Sequence, residues 1–284
     1  MNSPYQLLLE KVHEIHDIEK AIQVLSWDKE TNMPAAGNAA RVQQMTTLRR
    51  IHHRTFASDE MGELIEAAAN ALNGTAHNSN EASLIRYLRR SYADERKLPD
   101  EFVQRVSLVS GAAHPAWVQA RAENNFALFR PHLERVVALN QEMADLYGYE
   151  DEKYDPLLDK FEHGLKTAEL RAIFAAVKTE LKPLLTAVTA RTHTINDQFL
   201  HQHFPVPQQQ EFARYGATAV GYDFSRGHLG TVVHPFATSF SRDDARITTR
   251  WNPDFLNAAL FGTLHESGHA MYEQGTAPDL ARTH

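Results

Sequence analysis

From Ser3 to about Asp197 the apolar residues recur at three- and four-residue spacing, and this period constrains the chain more than any other feature. Leu7, Leu8, Val12, Ile15, Ile18, Ile22 and Leu25 form one such stripe, which ends near Trp27 and the break at Pro34. Further helices are expected over Ala39–His53, Met61–Leu72 and Glu81–Ala93. Asp100 then stands as cap to a long helix from Glu101 to about Phe129. Pro131 belongs in the first turn of the next helix, which Gly148 ends, and Thr167 caps another through Leu170, Phe174, Val177 and Leu181. Only Gly221–Trp251 alternates and turns in the manner of strands, enough for a small antiparallel sheet of about three strands. Asn252 as cap and Pro253 at the first position open a last helix that Gly275 stops. The fold class is therefore mainly α, with one small antiparallel sheet beside the last helix.

Within that last helix lies His265-Glu266-Ser267-Gly268-His269. Two histidines four residues apart stand one above the other on a helix face, roughly 6 Å apart along the axis. Their imidazoles can converge on one metal ion at about 2.0–2.1 Å each. Glu266 projects beside them, within reach of a water that such an ion would acidify, so it is the candidate general base of a hydrolase. With 16 histidines in 284 residues the pentapeptide alone is a weak signal. Its place in mid-helix, with Leu260, Phe261 and Leu264 available to hold it against a core, strengthens it. A third ligand must come from another element. Glu273 lies roughly 12 Å along the axis from His265 and cannot join both histidines, so it reads as a solvated carboxylate. His234, Asp244 and His284 could reach the site only through tertiary contacts.

Composition removes whole classes of alternative. The net charge is −7 and basic residues are interspersed with acids, so nucleic acid is not an expected partner. There is no cysteine, hence no disulfide, thiolate nucleophile or Cys-based zinc site. No apolar run reaches signal-peptide or membrane-span length, which makes a cytoplasmic protein the expectation and leaves no membrane partner. The acid pair in Trp27-Asp28-Lys29-Glu30 reads as structural. His52-His53 and His201/His203 read as solvated histidines or adventitious metal sites. Asn73-Gly74-Thr75 is a glycosylation sequon of consequence only in a secreted protein.

Three segments together resemble the carboxypeptidase Taq family of metallocarboxypeptidases: His234-Pro235-Phe236, Asp244-Ala245-Arg246-Ile247-Thr248, and His265 to His269 followed by Tyr272-Glu273-Gln274-Gly275. The helical front is similar too, in Trp27-Asp28, Glu30-Thr31, Met33-Pro34 and Arg41, in Trp117, Ala120-Arg121 and Asn125-Phe126, and in Tyr154-Asp155, Leu157-Leu158-Asp159 and Glu162-His163-Gly164. The resemblance implies a helical, saddle-like metallopeptidase with a deep groove, a homodimer that removes single residues from peptide C-termini with zinc, cobalt or another divalent ion. It makes His265 and His269 metal ligands and Glu266 the general base, and sets His234, Asp244 and Arg246 in or beside the substrate groove. Family members continue well past this chain's last residue, into motifs that supply a third ligand, a Glu, and recognition of the substrate carboxylate. Residues 1–284 are accordingly read as one incomplete catalytic domain, with a helical front (1–200), a sheet region (201–251) and a metal-binding helix (252–275). An endopeptidase acting on oligopeptides, or a non-catalytic dimerising or regulatory relative, are the alternatives.

Overall fold

The computed structural model describes residues 2–283. Among them run ten α-helices: α1 (Pro4–Thr31), α2 (Asn38–Phe56), α3 (Asp59–Ala71), α4 (Asn80–Glu95), α5 (Asp100–Ala122), α6 (Phe126–Tyr147), α7 (Asp155–Leu158), α8 (Thr167–Thr189), α9 (Val206–Val220) and α10 (Leu256–Gln274). Strands β1 (Leu229–Thr231), β2 (Ala237–Ser241) and β3 (Asp244–Thr249) lie between α9 and α10. No helix among the described residues is long and apolar enough to cross a membrane.

Serines start three of the helices. Ser3, Ser58 and Ser79 accept from the amides of Gln6, Met61 and Ala82, and Gln6 returns a bond to the Ser3 amide at 2.8 Å. Leu8, Val12 and Ile15 of α1 then bury against Met61, Ile65 and Ala68 of α3 and Leu84, Ile85 and Leu88 of α4. On the other flank α2 crosses α5 closely at Gly111, where a Cβ would stand 2.6 Å from a Val42 methyl. Pro115, one turn on, offers no amide to the Gly111 carbonyl, and the Asn38 side chain approaches that carbonyl at 3.4 Å instead.

Four local expectations are corrected. The long helix from Glu101 breaks after Ala122, because Asn124 takes a left-handed turn (φ 48°) that asparagine tolerates, and α5 folds back on α6. Pro131 falls inside α6 rather than in its first turn. The last helix begins at Leu256, not Pro253. The carbonyls of Asn252 and Pro253 are taken by the Gln209 side chain (2.8 Å) and the Phe204 amide (2.7 Å), which hold these residues in a turn. His53 is not solvated: it lies on the buried seam of α2 with Val42, Met45 and Thr46, its Nδ1 2.8 Å from Glu95. The hydrogen bond with Glu95 raises its pKa, against the opposing effect of burial.

The sheet is mixed rather than antiparallel, with order β1-β3-β2. The chain reverses after β1 and again after β2, so β3 returns between them, antiparallel to β2 and parallel to β1. Strand alternation sends Ala245, Ile247 and Thr249 towards the helices, where Ala245 and Ile247 pack with Ala217, Tyr222 and Ala270, and the Thr249 hydroxyl donates to the Ala259 carbonyl.

Candidate functional site

Helix α10 lies close on β3 because its buried seam is made of small residues, Ala259, Thr263, Ser267 and Ala270. The two hydroxyls in that seam donate back to carbonyls one turn earlier, at 2.8 Å each, so no polar atom is stranded there. Phe261, expected to help hold the helix on its core, is exposed instead, since a large side chain has no room on the seam. The far end is pinned by Gln274. Its amide donates to the carbonyls of Asp223 (2.9 Å) and Arg226 (3.2 Å) and accepts from the Asp223 amide (3.1 Å).

This placement sets the geometry of the motif. His265 and His269 face outward on one side of α10, with ring centroids 5.0 Å apart and Nε2 atoms 3.3 Å apart. Two imidazole nitrogens sharing one tetrahedral ion at the usual bond length would be separated by about 3.3 Å, so the pair already has the spacing a divalent metal requires. Glu266, one residue on, is turned inward and buried. It borders a cleft of about 450 Å³ whose other wall is Pro235 to Ser239, with His269, Tyr272 and Glu273 along the α10 side. Strand β2 is an edge of the sheet, so the cleft runs beside an edge strand. The Lys20 ammonium of α1 reaches the Ser239 carbonyl at 3.1 Å. A larger cavity, of about 510 Å³, is lined by α1, α2 and α4 around His16 and His52 and includes none of the α10 residues.

The other expected site residues are distributed differently. His234 is exposed, its ring edge-on to Trp117 at 6.2 Å, and it immediately precedes the cleft wall. Asp244 and Arg246 stand on the opposite face of the sheet from α10. There they form a two-pronged ion pair, 2.7 Å at each contact, with the guanidinium between the rings of Trp27 (4.7 Å) and Phe240 (4.8 Å). The Asp244 carboxylate raises the pKa of Arg246, so that charge is fixed. Glu273, read from sequence as a solvated carboxylate, borders the cleft; its position four residues after His269 was the available signal. Asp28 and Glu30 are structural, paired to Arg41 and His114 at 2.7 Å each. Among the described residues no third His, Asp or Glu joins the histidine pair in a metal-holding group, and His284 lies outside the described residues.

The family model described as carboxypeptidase Taq (M32) metallopeptidase matches residues 7–284. Carboxypeptidase 1 of Bacillus subtilis is 32% identical over 269 residues, covering 95% of this chain and 53% of the relative. Thermostable carboxypeptidase 1 of Thermus thermophilus is 35% identical over 283 residues, covering 95% and 55% respectively. Among solved structures, one described as BsuCP superposes with a TM-score of 0.94 at 30% identity, over 98% of this chain and 56% of the other. The M32 carboxypeptidase of Deinococcus radiodurans gives 0.85 at 29%, over 99% and 56%. The chain thus spans about half the length of the relatives it matches. A match along nearly its whole length, with a metal-spaced histidine pair at the expected place, means that the chain belongs to the carboxypeptidase Taq (M32) family of metallopeptidases.

Proposed function

We propose that this chain carries the metal-binding and proton-transfer half of a zinc-dependent carboxypeptidase that removes single residues from peptide C-termini. The observation that carries this reading is the pair of Nε2 atoms 3.3 Å apart beside a buried glutamate that opens into a cleft. A divalent ion held there would polarise the scissile carbonyl and acidify water. Glu266 takes the proton of the attacking water and returns it to the leaving amine, and its burial at the edge of the cleft limits competition from bulk water for that carboxylate. His265 and His269 bring their Nε2 atoms together on the outward side of α10, where one ion could accept a lone pair from each. The β2 edge supports an extended peptide laid beside the strand, an arrangement that recruits main-chain hydrogen bonds without regard to side chain and suits broad specificity. His234 guards the entrance to that wall. Asp244 and Arg246 act from the far face, by fixing β3 against Trp27.

The third ligand, a glutamate, and the groups that bind the substrate carboxylate are assigned to sequence corresponding to the relatives' additional length, in a protein that works as a homodimer. On this reading the 284-residue chain by itself has little or no peptidase activity, because two imidazoles hold an ion loosely and an exopeptidase without its carboxylate anchor cannot orient substrate. The absence of a third ligand among the described residues also favours a second reading, a non-catalytic relative. Turnover of a blocked dipeptide with added zinc or cobalt separates these, comparing the 284-residue chain with one extended to the relatives' length. The proposal expects activity only in the extended chain and its loss in Glu266→Gln. Inactivity of both chains supports the second reading; equal activity of both refutes the division of the site.

A further inference from the structure

On a different face of α1 from the sheet, α1, α2 and α5 enclose a cavity of about 200 Å³, bordered by Ser26, Lys29, Glu30, Arg49, Ser110 and His114. Two cations stand in it with little to neutralise them. The Lys29 side chain is only 9% exposed, and its ion pair is a loose one, 3.7 Å to the adjacent Glu30. The other oxygen of that carboxylate is already 2.7 Å from His114 Nε2. Arg49 donates from Nη1 to the Ser107 hydroxyl at 2.8 Å, and the same hydroxyl lies 2.7 Å from Thr46 Oγ1. Among the described residues no carboxylate pairs with the Arg49 guanidinium. Burial lowers its pKa, yet a guanidinium stays charged throughout the accessible pH range. One carboxylate, Glu30, is therefore shared between the ammonium and the imidazole, and the guanidinium bordering the same cavity has none.

A charge withdrawn from water without a partner is strongly unfavourable, and the usual remedy is a counter-ion with matching acceptors. The fork of Arg49, the point charge of Lys29 and the hydroxyls of Ser26 and Ser110 form a donor set suited to a tetrahedral oxyanion. We propose that this cavity binds one small free oxyanion of the phosphate or sulfate class, which ties α1, α2 and α5 together. The volume excludes a peptide, and the site shares no residue with the α10 cleft. The proposal does not depend on the peptidase reading.

Titration calorimetry of the intact chain with inorganic phosphate, against chloride at equal ionic strength, tests it directly. One phosphate should bind per chain, saturably, and the unfolding midpoint should rise with the same concentration dependence. Sulfate should compete, and glycerol phosphate should compete far more weakly. Arg49→Met, whose helicity is checked by circular dichroism, should lose the phosphate response while unfolding in chloride no earlier than the parent. Ser110→Glu, a change at the exposed mouth that sets a carboxylate against the two cations, should abolish uptake without touching the buried wall. A parent response that does not saturate or that chloride reproduces would overturn the proposal. So would equal competition by glycerol phosphate, or a phosphate response that persists in either folded variant.

Discussion

At the scale of single residues, the site depends on a difference of one helical position. His265 and His269 share the outward side of α10 while Glu266, turned about 100° from His265 around the axis, is buried towards the cleft. The pentapeptide specifies that angular offset before any tertiary contact forms, which is why it was legible in sequence, whereas the packing of α10 on the sheet decided which side is buried. The orientation of Asp244 and Arg246 was likewise legible only in part. Alternation along β3 puts Asp244 and Arg246 on the face opposite Ala245 and Ile247, but only the packing of that apolar face on α9 and α10 set the two charged residues away from the metal helix. Metal retention tests the outward pair. Loss of outer-shell partners of metal ligands weakens binding by about 10–100-fold, so His265→Ala or His269→Ala should lower zinc affinity by at least that range, measured by metal analysis after dialysis against graded chelator. Unchanged zinc stoichiometry in the double variant would contradict the pairing.

At the scale of elements, two junctions are decided by contacts that no local pattern announces. Gly111 sits where α5 meets Val42 of α2, with both methyls inside 3 Å of a built Cβ. Gly111→Ala should destabilise by about 1–3 kcal/mol, the range for overpacking, and Val42→Ala should relieve part of that loss in the double variant. Additive losses in urea denaturation would mean the two positions are not coupled. The second junction is the turn from α7 to α8, organised around Asp159. Burial pushes its carboxyl pKa up, but hydrogen bonds from the Gly164 amide, Arg90 and His163 outweigh this and bring it down to about 2. The folded chain therefore releases this proton more readily than the unfolded one. The resulting stability is complete above about pH 4, the ordinary carboxyl range, and is lost as pH falls towards 2. Unfolding midpoints measured across that window should drop less steeply in Asp159→Asn than in the parent. Parallel pH profiles would show that Asp159 carries none of the acid sensitivity.

At the scale of the whole molecule, α8 differs from every other long helix. Ile173, Phe174, Val177, Leu181, Leu184, Leu185 and Val188 make a continuous apolar stripe, and each is 50–62% exposed. The helical period was correct, yet among the described residues nothing covers the face it predicts. Since the relatives are nearly twice as long, this is a surface on which their additional length has room to pack. In the 284-residue chain α8 contributes almost no burial to hold its hydrogen bonds, so amide exchange should be far faster along 170–188 than along α3, whose Met61 and Ile65 are fully enclosed. Hydrogen exchange followed by mass spectrometry over a dilution series checks this. Protection of α8 equal to that of α3 at every dilution would show that the stripe is covered within the single chain.

The helical periods of α1 to α4, α6 and α8 and the four-residue spacing of the histidine pair were legible in the sequence itself, because each rests on spacing within about four residues. Other features were left to the tertiary structure. The order β1-β3-β2, the late start of α10 under Gln209 and Phe204, and the break at Asn124 each depend on partners distant in sequence or on a choice between comparable local conformations. The burial of His53 and the enclosure of the Lys29 and Arg49 cations are of the same kind. Burial is a property of what arrives from elsewhere in the chain, and an isolated helical stripe carries no information about which neighbour, or whether any, comes to cover it.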